Sequence, residues 1–421
     1  MADWQDKVVD LLRSPCDDLV SLARLAGANP ADFYLGADLT GIELTHAEAQ
    51  ALGVGGFGAE HATTPESVEP EASILDQAEL IKEPSDGRKG SVAFNIGSRR
   101  TQVARPGVGV VIDEPTLVVA QPRGRFLYGQ EAANYLAEGP LEASGAWPFQ
   151  ADKIADVPDA ARLIREFARR AGGARAISGQ DVLFCLPASA TGHERRMILE
   201  ALRKAGLNRV GFVDAPLAIA VGAGASVDTP RAAMVLNVAD SLAEVEVISL
   251  SGAVYVKAAR AGTEVMDQLI IDHCRRRHDL LIGSWTAERI RDAVGAASTP
   301  RMDKSSVEVR GRSLSTGKPR DILFTSAEAV AALAPAVSDI VELAKRAMEA
   351  TPAELSIDIS DSGFILAGAG ASLEGLAREL SNSTGLRVHV PADPHLTAIH
   401  GCACLIADGG WLNNPAVMRE R

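Results

Sequence analysis

Two duplicated α/β lobes, each a mixed sheet flanked by helices, are the architecture that this sequence predicts. Three observations predict it. Two similar runs, VAFNIGSRRTQV at 92–103 and MVLNVADSLAEVEV at 234–247, lie about 140 residues apart. Each reads as an apolar strand, a polar tight turn and a second strand, with an Asn (Asn95, Asn237) closing the first strand. Each is then followed by helical spacing and further apolar strands, so the two halves share one order. Hairpins of this kind, one per half, suit a nucleotide gripped between the halves.

Composition bounds the function. A chain of 421 residues can hold two or more compact lobes, and 47% hydrophobic with 23% charged residues is ordinary for a globular protein. A formal charge of −13 argues against a general nucleic-acid binder, which needs a basic surface. No apolar run approaches a membrane span, and the start, MADWQDK, lacks a signal peptide's basic and apolar regions, so a cytoplasmic protein is expected. The five cysteines show no metal or disulfide spacing. Cys402 and Cys404 lie two apart near His400 in an apolar helical run, where core packing is the expected role.

Residues 1–45 form a unit of their own. Trp4, Val8, Leu11, Leu12, Leu19, Val20 and Leu22 have helical spacing, and Ser14-Pro15 divides the pattern into two short helices. Its acidic face would be repelled by anionic lipid, so docking on an unidentified protein partner is expected instead. ADLTG at 37–41 and IELTH at 42–46 resemble two pentapeptide units, read either as a closing turn or as a minimal docking module. Residues 46–88, rich in Gly, Glu and Pro, read as a flexible acidic linker.

Lobe I is expected over 89–230, with a small subdomain at about 119–151. After its hairpin come the strands of 107–120, a helix over 160–171, a buried strand at 181–187, an amphipathic helix over 192–205, a strand at 210–214 and a small-residue helix opened by Pro216. Lobe II is expected over 231–394, with a small subdomain at about 268–325. Its hairpin (234–257) precedes helices over 263–279 and 286–294, a polar hairpin (306–324), a long helix over 326–350 and a strand at 363–366 running into AGAGASLEG. Residues 395–421 supply a helix returning to lobe I and a tail.

Residues 90–408 resemble the MreB family of bacterial actin-like, rod-shape-determining proteins, here as a divergent member with an N-terminal extension. The match is spread over VIDEP at 111–115, YGQEA at 128–132, HERRMILEA at 193–201, ISLSG at 248–252, residues 283–295, VRGRSLSTG at 309–317, TPAEL at 351–355 and residues 363–376. The resemblance implies the actin fold shared with heat-shock chaperones and sugar kinases, ATP and Mg²⁺ in the cleft, and membrane-associated filaments that organise cell-wall synthesis. A sugar kinase or chaperone is the weaker match.

This chain departs from the family's site residue by residue. The family's two strand-end Asp residues, which help hold hydrated Mg²⁺, align with Asn95 and Asn237, which keep the shape and lose the charge. The first turn keeps Gly97 and a hydroxyl at Ser98 but gains Arg99 and Arg100. In the second turn a Gly-Gly-Gly-Thr-Thr run becomes Ala239-Asp240-Ser241-Leu242-Ala243, so bare backbone amides are lost and Asp240 brings negative charge towards phosphate. The Glu that positions the attacking water aligns with Ala215, which cannot orient water; Asp214 beside it is expected to point elsewhere. Gly368 and Gly370 stand for a triple glycine on the adenosine side. Glu288 and Arg291 fall near ribose- or base-contacting positions, or are an exposed helix pair. Arg99 or Arg100 could replace the metal's charge, or form a surface pair on the turn. The loop at 172–179, with only Ile177 bulky, argues against direct membrane binding.

The expectation is a cytoskeletal scaffold or co-polymer with itself or with MreB-type relatives, binding ATP weakly or not at all and without ATPase activity. The alternative is an active, ATP-binding, filament-forming ATPase. The helix over 193–201, which relatives use to pair protofilaments, makes assembly plausible.

Overall fold

The computed structural model describes residues 91–138, 144–151, 153–172, 181–298, 305–407 and 417–419. The N-terminal unit at 1–45, the linker at 46–88 and all but Gly172 of the loop at 172–179, which argued against direct membrane binding, lie outside the described residues.

Lobe I begins with an antiparallel meander of β1 (Val92–Ile96), β2 (Arg100–Arg105) and β3 (Gly109–Pro115). A side unit follows: β4 (Val118–Ala120), β5 (Phe126–Tyr128), α1 (Gly129–Glu138), β6 (Gly145–Ala146), β7 (Phe149–Gln150) and β8 (Lys153–Ile154). Helix α2 (Val157–Gly172), β9 (Asp181–Leu186), α3 (Gly192–Ala205), β10 (Arg209–Asp214) and α4 (Ala215–Gly222) complete the lobe. β9 runs parallel to both β1 and β10.

Lobe II repeats the scheme. β11 (Ala233–Val238), β12 (Ala243–Ser249) and β13 (Gly252–Ala259) form the meander. Helix α5 (Thr263–His278), β14 (Leu280–Leu281), α6 (Ser284–Val294), β15 (Ser306–Ser313), β16 (Pro319–Thr325), α7 (Ser326–Ala350), α8 (Ala353–Ser362), β17 (Phe364–Ala367), α9 (Leu376–Thr384) and β18 (Val388–His389) follow. In both lobes the first hairpin strand is flanked by a parallel strand: β9 beside β1, and β17 beside β11. Helix α10 (Thr397–Ala407) and β19 (Met418–Arg419) return to lobe I, where β19 pairs with β10.

Local chemistry sets the helix ends. α3 starts on a capping box of Thr191 and Glu194 and stops at left-handed Gly206; α7 starts on a second box of Thr325 and Glu328. The sheets bury apolar residues on both faces, and β9 and β11 are buried along their whole length. Helices α4 and α10 lie between the two main sheets in a shared core that includes Ala93, Leu183, Val235 and Ile365.

Those two helices meet backbone to backbone. A methyl group on Gly401 would run into the carbonyl oxygen of Ala218, and one on Gly222 into that of Thr397. Neither oxygen can move without breaking its helix. Gly401→Ala is therefore expected to destabilise the protein by about 1–3 kcal/mol, the usual cost of overpacking. Urea unfolding checks this; an unchanged midpoint would mean that the helices separate freely.

Candidate functional site

The two hairpin turns face each other across the lobes, and the strand-end asparagines sit just below them. Hairpin register places Asn95 opposite Gln102 and Asn237 opposite Glu244. Asn95 Nδ2 donates to Gln102 Oε1 at 2.9 Å, and Gln102 Nε2 donates to the His395 carbonyl at 3.1 Å. Asn237 Nδ2 donates to Glu244 Oε1 at 3.1 Å, while Glu244 Oε2 accepts the Ala188 N–H of lobe I at 2.9 Å. Both amides are thus committed to their cross-strand neighbours.

Asp240 fills the space between the turns. Its Oδ2 accepts the backbone N–H of Arg99 at 3.0 Å and lies 2.6 Å from where a Cβ on Gly97 would stand. Main-chain amides of a glycine turn can bind anions, and here the Arg99 amide is taken by a carboxylate of the chain itself. Burial, and then Glu264, push the Asp240 carboxyl up, against the Arg99 amide and guanidinium, which hold it down. The carbonyls of Ala239 and Asp240 accept the first amides of α5, from Thr263 at 3.1 Å and Glu264 at 2.7 Å. The second turn thereby satisfies the helix end that could otherwise attract an anion. Ser98 Oγ and Ser241 Oγ meet at 3.0 Å, and Ser241 Oγ donates to Glu264 Oε2 at 2.7 Å.

Arg99 corrects the expectation of a surface pair. Its guanidinium crosses into lobe II and meets Asp267 at 3.2 Å, Glu288 at 3.5 Å and Glu264 at 3.6 Å. Arg100 instead stays on lobe I, half-exposed and bound to Asp113 at 2.8 Å, where it lines the cavity between the turns. Glu288 and Arg291 are not a simple exposed pair either: Arg291 is mostly buried and its Nε stands 3.2 Å from Asp267, with Glu288 at 3.9 Å. Asp267 is 2% exposed, and burial pushes its carboxyl up to about 6 despite Arg291 and Arg99. Asp267, Glu264, Glu244 and Gln102 are the site residues that sequence reasoning missed. For Gln102 and Glu244 the signal was present, because counting across each tight turn puts them opposite the asparagines.

Gly368, at φ 89, closes the strand-to-turn step after β17. A side chain there would meet Asn237 Oδ1 at 2.5 Å, and one on Gly370 would meet the Val238 side chain. These glycines pack the turn onto β11. Ala215, the first residue of α4, lines a cavity of about 110 Å³ together with Asn95, Gly97, Asn237, Asp240 and Gly368. Asp214 caps α4 without a side-chain cap bond and turns towards α3, 3.4 Å from Arg195; burial pushes its carboxyl up to about 6. A second cavity of about 250 Å³ lies beside Arg291, Ala369 and Gly370 on the adenosine side of the resemblance.

Among the described residues, His400, Cys402 and Cys404 do not gather into a metal-holding group, and Cys402 is buried in the core between the sheets. No helix among the described residues is long and apolar enough to cross a membrane.

A family model described as MreB/Mbl protein matches residues 89–412. The chain is 34% identical over 310 residues to cell shape-determining protein MreB of Escherichia coli strain K12, spanning 72% of this chain and 89% of that protein. It is 30% identical over 305 residues to cell shape-determining protein Mbl of Bacillus subtilis strain 168, spanning 72% of this chain and 91% of that one. Among solved structures, MreB 5 of Spiroplasma citri bound to AMPPNP superposes with a TM-score of 0.69 at 22% identity, over 74% of this chain and 94% of that one. The MamK double helical filament superposes with a TM-score of 0.61 at 14% identity, over 75% and 98%. The two lobes described above therefore have the actin-like fold.

Proposed function

The chain belongs to the MreB/Mbl family, and we propose that it serves the cell-shape cytoskeleton as a scaffold or co-polymer subunit whose nucleotide cleft is closed by its own side chains. One observation carries this reading: the Asp240 carboxylate sits on the Arg99 amide, against Gly97, where the resemblance would put phosphate. Four further features support it. The space directly beside that contact is about 110 Å³, against the roughly 300–1,000 Å³ of ordinary ligand pockets; a larger space of about 430 Å³ lies on the other side of Ser241 and Leu242, towards Pro187 and Thr191. Asn95 and Asn237 are neutral and hydrogen-bonded to neighbours, a poor set for Mg²⁺, which favours charged oxygens. Ala215 offers nothing to orient water. Arg99, which could have stood in for the metal, is already paired with three carboxylates of lobe II. These residues do not fit a Mg²⁺–nucleotide as they stand.

The contacts from Arg99, Asp240, Ser98 and Ala188 join lobe I to lobe II, a task that the resemblance gives to the nucleotide. A closed cleft without nucleotide would let the subunit join a filament independently of ATP. Helix α3 leaves His193, Arg196 and Glu200 exposed for lateral pairing. Titrating the purified protein with ATP, with and without Mg²⁺, is expected to give no saturable micromolar binding and no phosphate release. Micromolar, Mg²⁺-dependent binding with turnover would establish the active ATPase instead. Pelleting only in a mixture with an intact relative is the signature of co-polymerisation.

A further inference from the structure

On the side of lobe II away from the cleft, the end of α5 meets the start of α7. His273 and His278 lie five residues apart on α5, and His278 is the last helical residue before Asp279 turns left-handed at φ 52. Glu328 is the capping-box residue of α7. Its Oε2 accepts from the Thr325 N–H at 3.0 Å and the Thr325 hydroxyl at 3.1 Å, which fixes the carboxylate and turns Oε1 towards the histidines. His278 Nε2 stands 2.7 Å from Oε1 and His273 Nε2 3.9 Å from it. One ligand atom from each of the three residues lies within 4.8 Å of the others. The side chains of His273, His278 and Glu328 are 19%, 19% and 24% exposed, and Phe324 packs edge-on against the His273 ring at 5.6 Å.

A helix cap with one histidine–glutamate hydrogen bond would account for His278 and Glu328. It leaves His273 unexplained. His273 Nε2 is buried without a hydrogen-bond partner and points to the same oxygen. A buried ring nitrogen left unpaired is costly. Ligand atoms around a tetrahedral ion with bonds of about 2.0–2.1 Å stand about 3.4 Å apart. The two separations from Glu328 Oε1, 2.7 and 3.9 Å, straddle that value. The hydrogen bonds from Thr325 orient the carboxylate as an outer-shell partner does in a metal site.

We propose that His273, His278 and Glu328 form a zinc-binding site, two imidazoles and one carboxylate with a fourth position open to water, tying α5 to α7. Zinc takes the neutral form of an imidazole and the ionised form of a carboxylate. The site is independent of the nucleotide cleft, although α5 also carries Glu264 and Asp267 of the inter-lobe ion network.

The test uses the full chain, stripped with a chelator and titrated with Zn²⁺ alone against a chromophoric competitor. Co²⁺ is added separately for its tetrahedral visible spectrum. One equivalent of Zn²⁺ is expected. His273→Ala and Glu328→Gln are each expected to weaken binding by at least the about 10–100-fold typical of outer-shell losses, and to abolish the Co²⁺ spectrum. Gln also serves in a capping box, so Glu328→Gln keeps the helix start and carries the test if His273→Ala does not fold. Cys404→Ser, which removes a half-buried thiol elsewhere, is expected to leave affinity unchanged. No stoichiometric binding at micromolar Zn²⁺, or variants that bind as tightly as the wild type, would overturn the proposal.

Discussion

Asp240→Gly is expected to raise the affinity for ATP about a thousandfold. Two like charges at about 4 Å in an effective dielectric near 20 repel by about 4 kcal/mol, which is about three orders of magnitude in affinity. The substitution removes that charge, frees the Arg99 amide for an anion and clears the space beside Gly97. Asp240→Asn separates charge from shape. Its side chain keeps the volume and an acceptor for the Arg99 N–H, so a gain equal to that of glycine would assign the block to charge, and no gain would assign it to filled space. Isothermal titration with ATP measures both. Hydrolysis is not expected in either variant, because Ala215 remains. If neither variant binds more tightly than the wild type, the Asp240 contact is a consequence of an empty cleft and the self-closure reading fails.

Much of the fold was legible because the hairpins announce themselves. An apolar run closed by Asn and a polar turn recurs at 92–103 and 234–247, and both runs became strand–turn–strand units, each with a parallel strand beside its first strand, β9 beside β1 and β17 beside β11. Helices α3 and α7 were placed by their apolar spacing, and the capping boxes of Thr191 with Glu194 and Thr325 with Glu328 that set their first turns are a local signal that went unread. The site was legible as a set of positions, not as a network. Asn95, Gly97, Asn237 and Asp240 line one cavity, as their places on the turns imply. What could not be read was Arg99 reaching Asp267, because 168 residues separate them and only packing of the lobes brings them together. The surface-pair reading of Arg99 failed for that reason. The exposed-pair reading of Glu288 and Arg291 failed because α6 lies against α5, which buries Arg291 beside Asp267.

Glu246→Gln is expected to stabilise the protein at pH 8 by on the order of a few kcal/mol and to have little effect near pH 5. Glu246 lies on β12 at 1% exposure, and its Oε2 has no hydrogen-bond partner among the described residues. Burial, with Asp214 and Glu244 adding negative charge, pushes its carboxyl up to about 8 from an ordinary 4.5. Between those values the folded protein holds a proton that the unfolded chain releases, so stability falls as pH rises through the window. Asp214, pushed up to about 6, acts in the same sense over the lower part of that range. Glutamine removes the ionisation and keeps the volume. Denaturant midpoints for wild type and variant at pH 5 and pH 8 check it, and a difference that does not grow with pH would show that Glu246 is not the titrating group. Glu244, one of the charges that raise Glu246, also lines the cavity under the turns. Ionising Glu246 above pH 8 would therefore add negative charge behind the place where an anionic ligand would sit, in the same sense as Asp240.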